Sequence, residues 1–301
     1  MYFGRAGLIV LFAAVSGCTI HRGGPERSID IPRTQTVAVQ VERYTPESWP
    51  QALNAHIRRP AGAGPHPAVL VVHGGGWQRR SPKDMEEIAT YLAERGLVSV
   101  NVAYRFAPEH RFPAQLRDIQ QAMYWIHQNA ERLGIDVQRI GALGYSSGAH
   151  LVTLLAMVAG QGGELDGGPL TRPDAVVAGG TPSDLRKWKD GRLVEDFLGG
   201  TRAEVPAAYA AASPVVHVHA AAPPVFLFHG NMDTLVPSDH ATDFYAALVE
   251  AGVESELYIS RLRGHVLTFL FPGGAMEEAA RFFHQKLDGD SPSGRVHLSP
   301  D

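Results

Sequence analysis

One short segment combines a serine with glycines at the spacing that exposes a nucleophilic hydroxyl. Gly144-Tyr145-Ser146-Ser147-Gly148 fits the pattern G-x-S-x-G, between an apolar run typical of a strand and one typical of a helix. A sharp strand-to-helix turn presents the serine oxygen at its tip, and the glycines leave room for it. The pattern also occurs by chance in turns without chemistry. Its position between strand and helix favours Ser146 as a nucleophile for acyl transfer.

A serine hydroxyl needs a neighbouring base, and the base needs an acid that orients it. In strand–turn–helix sites of this kind the chain order is Ser, then Asp or Glu, then His. Asp233 lies in the loop after the predicted strand Val225–His229, at the edge where open α/β sheets form ligand sites. His265 follows the predicted strand Glu256–Ser260, in the loop before the last helix. We therefore predict a catalytic triad of Ser146, Asp233 and His265.

Other acidic residues and histidines fit these roles less well. Asp239 and Asp243 fall within a predicted helix, where we expect them to be solvated. His229 ends a buried strand and is expected to pack there. His217 and His219 form a pair, but no further ligands cluster with them, so we expect no metal ion.

A glycine-rich loop, HGGGW at 73–77, follows the predicted strand Ala68–His73. Glycines leave backbone N–H groups uncovered, and such a loop forms an oxyanion hole together with the N–H after the nucleophile. We predict Gly74, Gly75 and Ser147 as the donors. A phosphate-binding loop is the alternative, but the chain has no G-x-x-x-x-G-K-[ST] and no acidic residue placed for a dinucleotide ribose. We therefore expect no nucleotide, flavin or other cofactor.

The elements that must position these residues alternate along the chain. The patterns predict strands at Val37–Tyr44, Ala52–Arg58, Ala68–His73, Leu97–Ala103, Arg139–Leu143, Ala175–Ala178, Val225–His229 and Glu256–Ser260. They predict helices at Met85–Arg95, Gln115–Leu133, Ser147–Ala159, Ser238–Ala251 and Met276–Leu287. This alternation predicts one α/β domain over residues 34–288, with a mostly parallel sheet of about eight strands and helices on both faces.

Composition excludes several other classes of protein. The chain has 301 residues, 45% hydrophobic and 19% charged, which excludes general disorder. The net charge is -4 and no basic block occurs, so nucleic acid is not an expected partner. The single cysteine, Cys18, excludes an internal disulfide and a cysteine-rich zinc site.

That cysteine follows a segment typical of an export signal. Arg5 precedes the apolar run Ala6–Val15, which is too short to span a bilayer. The residues V-S-G-C at 15–18 resemble a bacterial lipobox, which implies cleavage before Cys18 and acylation of it. We predict a lipoprotein signal peptide at 1–17, a tether at 18–33 and a flexible tail at 289–301. The exported protein would be lipid-anchored to the cell envelope, at the outer membrane where two membranes exist. An ordinary secretory signal or a misassigned start codon is the alternative.

Six segments, in this order, resemble α/β-hydrolase-fold carboxylesterases of the hormone-sensitive-lipase-like kind, close to acetyl- and feruloyl-esterase-like enzymes and arylformamidases. They are HGGGW (73–77), AYRFAPEHRFPAQLRDI (103–119), GYSSGAHL (144–151), DFLGGTRAEVPAAYAAASPV (196–215), HGNMDTLVP (229–237) and GH (264–265). The resemblance implies an α/β-hydrolase fold and the same roles: Ser146 as nucleophile, Asp233 as acid, His265 as base, and Gly74, Gly75 and Ser147 as oxyanion donors.

The resemblance also implies a reaction, hydrolysis of short-acyl or aryl carboxylic esters through an acyl-enzyme. Ser147 stands where relatives often carry alanine, which leaves the backbone donor unchanged. Little sequence precedes HGGGW, so only an insertion at 181–215, with Trp188 and Phe197, could form a small cap. Two alternatives stay open: amide hydrolysis on the same triad, and a non-catalytic surface-binding protein on this scaffold. The oligomeric state also stays open.

Overall fold

The computed structural model describes residues 19–24, 31, 33–188 and 191–288. The predicted signal peptide, Cys18 and the tail 289–301 lie outside the described residues. Nine strands occur in the described part: β1 (Ile20–Arg22), β2 (Gln40–Arg43), β3 (Asn54–Arg58), β4 (His66–Val72), β5 (Val98–Val102), β6 (Ile135–Tyr145), β7 (Ala175–Gly179), β8 (Val225–Gly230) and β9 (Ser255–Ser260).

Eight α-helices connect and cover these strands within the same ranges. They are α1 (Glu86–Ala93), α2 (Ala114–Leu133), α3 (Ser147–Val158), α4 (Arg192–Leu198), α5 (Pro206–Ala211), α6 (Asp239–Glu250), α7 (His265–Leu270) and α8 (Gly274–Leu287). Short 3-10 helices occur at Pro82–Met85, Pro169–Thr171, Leu185–Lys187 and Pro214–His217. No helix in this described part of the chain is long and apolar enough to cross a membrane.

The strands form a single sheet in the order β1-β9-β8-β7-β6-β4-β5-β3-β2. The strands from β5 through β4, β6, β7 and β8 to β9 pair in parallel, and the others pair antiparallel at the two edges. The prediction of a mostly parallel sheet of about eight strands over residues 34–288 is confirmed: β2 to β9 lie in that range, and the ninth strand, β1, precedes it. In a parallel sheet the carboxyl ends of the strands meet at one edge, where the predicted site residues follow β4, β6, β8 and β9.

Helices cover both faces of the sheet, as predicted. Alternate side chains of β4 point to opposite faces, because successive residues of a strand do so. Val69 and Val71 belong to one apolar cluster, together with residues of α1 and α8. Leu70 and Val72 belong to a second cluster, which includes residues of α2, α3 and α6. The continuous apolar run of this strand therefore reflects burial on both faces.

One strand begins earlier than hydropathy indicates. The prediction Arg139–Leu143 covers only the middle of β6, which begins at Ile135. The first residues of β6 include Asp136, Gln138 and Arg139, and the pairing with β4 shifts register between His66 and Ala68. Because this strand start is polar and irregular, it has no apolar pattern from which it could be predicted.

The predicted tether at 18–33 was wrong for residues 20–22. They form β1, which pairs antiparallel with β9 and places Ile20 opposite Ile259. The His21 Nε2 atom lies 2.9 Å from a Glu256 carboxylate oxygen, and the His21 ring packs edge-on against Tyr258. A three-residue polar strand has no periodicity of its own, and its partner is distant in sequence. The sequence therefore suggested a loose linker.

The insertion at 181–215 packs closely on the body of the domain. Phe197 on α4 is fully buried, with its ring stacked 4.4 Å from the Trp77 ring. Trp188 stacks 4.4 Å from His240 of α6. The Leu193 side chain lies 3.2 Å from where a Cβ of Gly76 would stand. The insertion thus contacts one side of the glycine loop.

Candidate active site

Ser146 occupies the strained turn between β6 and α3. Its backbone has φ 55° and ψ −123°, in a region that costs a non-glycine residue about 1–3 kcal/mol. Its N–H donates to the Gly179 carbonyl at 2.8 Å, which fixes the turn against β7. A Cβ on Gly148 would stand 2.1 Å from the Val72 carbonyl oxygen, so only glycine permits this approach of α3 to β4. The turn thus presents a half-buried hydroxyl at the carboxyl edge of the sheet.

Asp233 and His265 are in direct contact. Their Oδ2 and Nδ1 atoms lie 2.6 Å apart, and the aspartate side chain is fully buried. The other carboxylate oxygen accepts the backbone N–H groups of Leu235 at 3.0 Å and Val236 at 2.8 Å. Burial opposes ionisation, but hydrogen bonds from His229, His265 and Val236 outweigh it and hold the pKa of Asp233 well below its usual range. A permanent carboxylate therefore holds Nδ1 of His265.

His229 is a site residue that the sequence reasoning missed. Its Nε2 lies 3.2 Å from Asp233 Oδ2 and 2.8 Å from the Val236 carbonyl oxygen. Both are acceptors, so Nε2 carries the hydrogen and donates to them. We expected His229 only to pack at the end of its strand. The spacing of four residues in HGNMD was the available signal, because a tight turn brings these two side chains together.

Ser146 and His265 converge beside the end of β7. Tyr145, which precedes the serine, donates its hydroxyl to the His265 carbonyl at 2.6 Å. Next to Gly179, the acceptor of the Ser146 N–H, a Cβ on Gly180 would stand 3.0 Å from His265 Cε1. His265 was expected in a loop, but it is the first residue of α7, which follows Gly264 as N-cap. This short, largely apolar helix carries no capping side chain, so the sequence did not reveal its start.

The three predicted oxyanion donors lie around the nucleophile turn. A Cβ on Gly74 would stand 3.3 Å from Ser146 Cβ, so this backbone passes directly beside the nucleophile. Gly75 continues the loop with φ 123°. Ser147 is the first residue of α3, and the first N–H groups of a helix have no intrahelical acceptor. Uncommitted N–H groups next to a nucleophilic oxygen are suited to stabilise a negative charge that develops there.

Hydrogen bonds and ring contacts of buried side chains hold the glycine loop in place. The Tyr104 hydroxyl donates to the His73 carbonyl at 3.1 Å, and its ring stacks 4.4 Å from the His73 ring. The Trp77 indole donates to His150 Nδ1 at 3.1 Å, and His150 Nε2 donates to the Ala212 carbonyl at 2.6 Å. Burial lowers the pKa of His150 to about 4, so it stays neutral and can accept from the indole. These bonds connect the loop with α3 and the insertion.

The competing candidates lie away from this cluster. Asp239 and Asp243 are exposed and pair with Lys187 at 2.9 and 2.7 Å. His217 donates to the Ala211 carbonyl at 2.8 Å.

One group in the described residues has donors spaced for a metal ion: His21, Glu256 and Glu278, with ligand atoms within 4.8 Å of one another. Arg281 pairs with both carboxylates, so we describe this group as an ion-pair network that holds β1.

The sheet, the strained serine turn and the buried acid–histidine pair define an α/β-hydrolase fold. The family model BD-FAE matches residues 56–248, and the chain belongs to that family.

Two kinds of relative agree with this assignment. The esterase LipQ of Mycobacterium tuberculosis is 30% identical over 66% of this chain and 49% of its own length. The chain thus spans about half the length of the curated relatives it matches. The native esterase Est2 of Thermogutta terrifontis superposes with a TM-score of 0.70 at 26% identity, covering 82% of this chain and 92% of that one. A further structure shows that esterase phosphorylated by paraoxon, with a TM-score of 0.70 at 26% identity, covering 82% and 94%.

Proposed function

We propose that this protein hydrolyses carboxylic esters through a Ser146–His265–Asp233 triad. The observation that carries the proposal is the 2.6 Å contact between His265 Nδ1 and the buried Asp233, beside a serine held in a strained turn. Structural ion pairs also bury aspartates, but they do not require the serine to adopt φ 55°. Strain of this kind concentrates at functional sites, which favours chemistry at Ser146. The esterase names of the relatives support the same reaction.

In the proposed reaction, His265 and Asp233 handle the proton transfers, and backbone N–H groups stabilise the negative charge. His265 Nε2 takes the proton of Ser146 as its Oγ attacks the ester carbonyl, and Asp233 stabilises the imidazolium through Nδ1. The backbone N–H groups of Gly74, Gly75 and Ser147 stabilise the oxyanion. His265 then protonates the leaving alcohol, and an acyl group remains on Ser146. Water, deprotonated by His265, attacks the acyl-enzyme and releases the acid.

Short-acyl or aryl esters are the substrates we propose. Access to Ser146 is limited on one side by the insertion, whose Leu193 lies against the glycine loop. The loops after β8 and β9, on the side of Asp233 and His265, present Met232, Leu235 and Leu262 to solvent. We propose that a bulky alcohol or aryl group extends along these loops, away from the insertion. We test this with p-nitrophenyl acetate, butyrate and palmitate beside the matching aryl amides.

Labelling with a fluorophosphonate probe tests the nucleophile directly. Wild type is expected to react, as the Thermogutta esterase reacts with paraoxon, and Ser146→Ala is expected to lose both labelling and hydrolysis of p-nitrophenyl acetate. Asp233→Asn is expected to lower kcat about 10⁴-fold, because the wrong imidazole tautomer then faces the serine. The control is Asp239→Asn, an exposed aspartate paired with Lys187. Equal labelling of wild type and Ser146→Ala, or Asp233→Asn activity within tenfold of wild type, would contradict the proposal.

We also propose export and lipid attachment at Cys18, on the sequence pattern alone. Metabolic labelling with a palmitate analogue in a bacterial host is expected to mark wild type and not Cys18→Ser. Labelling of both proteins would contradict the lipobox interpretation.

A further inference from the structure

Large apolar side chains concentrate in the solvent-exposed surface beside His265. Half of the exposed large hydrophobic residues in the described ranges belong to three adjoining segments: the loop after β8, the loop after β9, and α7 with the residue that follows it. We call this surface the α7 rim; its members are Met232, Leu235, Leu262, Val266, Leu267, Leu270 and Phe271, exposed by 51–67%. Single exposed hydrophobics are ordinary, but a contiguous group marks an interaction surface.

Hydrogen bonds join these segments into one surface. The Met232 N–H donates to the Arg263 carbonyl at 3.0 Å, and the Leu262 N–H donates to Asn231 Oδ1 at 2.7 Å. Thr268 of α7 is buried, and Phe269 packs 4.8 Å from the Tyr145 ring. The helix therefore has one face on the domain and leaves its remaining apolar positions to solvent.

The N-terminal strand brings the start of the domain to this same edge. β1 runs antiparallel to β9, with Arg22 opposite Leu257 and Ile20 opposite Ile259. The start of β1 therefore lies at the end of β9, from which the loop carrying Leu262 continues. Cys18 lies outside the described residues, two positions before Ile20 in the sequence. An acyl group on Cys18 would thus be attached only two residues along the chain from the strand at this edge.

The charge of the rim differs from that of the whole chain. The segment 261–273, RLRGHVLTFLFPG, contains two arginines and no carboxylate, whereas the chain carries a net charge of -4. In the segment 230–237, GNMDTLVP, the one carboxylate is Asp233, which is buried against His265. Exposed Arg261 therefore faces no acidic neighbour within these segments. An apolar surface with a basic border is complementary to anionic lipid headgroups.

We propose that the α7 rim docks on a lipid bilayer and that the active site opens at the membrane surface. The apolar side chains insert at the headgroup boundary, and Arg261 contacts anionic headgroups. The substrates are then short-acyl esters of amphiphilic alcohols that reside in or on the membrane. This last step rests on the hydrolase function proposed above, whereas docking itself does not.

A probe on the rim tests the orientation. Cys18 is the only cysteine, so the full chain with Cys18→Ser and Leu270→Cys carries one thiol and no acyl group. An NBD label at position 270 is expected to shift to the blue on vesicles of phosphatidylethanolamine and phosphatidylglycerol (7:3). The same label in Cys18→Ser with Val249→Cys, an equally exposed position on α6, is expected to stay unchanged. A shift at both positions or at neither would overturn the proposal.

Charge substitutions test the binding strength. In the Cys18→Ser chain, Leu270→Glu and Phe271→Glu are each expected to weaken partition into these vesicles about tenfold, because each removes an inserted apolar group. Val249→Glu and Val41→Glu, which are comparably exposed, are expected to change nothing. Partition that is unaffected by the rim variants indicates binding through residues 1–17 and overturns the proposal. A dimer in solution that Leu270→Glu dissociates assigns the rim to a second copy and overturns it too.

Activity separates this proposal from the one it rests on. Leu270→Glu is expected to retain wild-type turnover of soluble p-nitrophenyl acetate and to lose about tenfold on hexadecyl acetate, a short-acyl ester held in the same vesicles. Equal activity of both proteins on both substrates would overturn the membrane orientation and leave the hydrolase function standing. If wild type turns over neither substrate but its vesicle binding depends on the rim, the membrane orientation stands and the hydrolase function is overturned.

Discussion

The nucleophile side and the acid–base side of the site are built in different ways. Ser146 is held by backbone contacts within the buried centre of the sheet, where Gly148 approaches β4 with no room for a Cβ. Asp233 and His265 are held by side-chain hydrogen bonds in loops near the β9 edge, surrounded by exposed apolar residues.

This difference indicates which residues on each side of the site tolerate substitution. A side fixed by backbone sterics tolerates no added atom, so its residue types are fixed by geometry. A side fixed by hydrogen bonds tolerates change in the residues around it, provided that the bonds remain. The exposed surface beside His265 is therefore free to serve a second purpose, such as contact with a membrane.

Replacing Gly148 by alanine should have the largest effect on stability, because it tests the steric closure of the nucleophile side directly. The added Cβ would stand 2.1 Å from the Val72 carbonyl and 2.6 Å from that of His73. We expect Gly148→Ala to lower the free energy of unfolding by about 4 kcal/mol, measured by urea denaturation. Gly191→Ala is the control, because nothing lies within 4 Å of its Cβ position. Similar stability of the two variants would show that the nucleophile side is not sterically closed.

Acid should destabilise the surroundings of the glycine loop and the insertion before it affects Asp233. Burial lowers the pKa of His73, His150 and His240 from 6.5 to about 4, so the folded state keeps them neutral. The unfolded chain binds protons near pH 6.5, so this stability is present above pH 6.5 and is lost as the pH falls toward 4. Each histidine removes roughly 1.4 kcal/mol per pH unit in that window.

Asp233 loses its contribution in the same direction, but at lower pH. Its pKa lies below the usual range, so its contribution persists until the pH falls below the unfolded value of 3.8. Urea denaturation at pH 7, 5.5 and 4.5 checks the prediction, and measurements at two salt concentrations separate it from screened surface pairs. A free energy of unfolding that stays constant from pH 7 to 4.5 would contradict the neutral histidines.

Changing His229 should have a smaller effect, confined to catalysis. His229→Phe removes the hydrogen bond to the charged Asp233, and we expect kcat to fall about 10- to 100-fold with KM unchanged. His229→Gln keeps an N–H donor at this position and is expected to restore most of the rate. If the two variants lose equal activity, or lose it in proportion to a lower Tm, His229 serves packing and does not position the acid.

The sequence predicted the central strands and the glycine-dependent turns well, because burial and sterics leave local patterns. Ala68–His73 and Val225–His229 match β4 and β8 within two residues at each end. The sequence did not predict β1 or the bond from His229 to Asp233. Both are stabilised by contacts with a partner segment. Neither segment has a hydrophobic periodicity of its own from which the contact could be predicted. The start of α7 at His265 was missed for a similar reason, since a short helix without a capping side chain has no boundary signal.

The position of β1 also affects how the protein behaves once it is shortened. These three residues cover the backbone N–H and carbonyl groups along the outer edge of β9. A chain that begins at Arg33 lacks them and presents that edge to solvent, where it can pair with the same edge of another molecule. Removing the N-terminal segment to obtain a simpler enzyme would therefore promote aggregation, whereas retaining Ile20–Arg22 would prevent it.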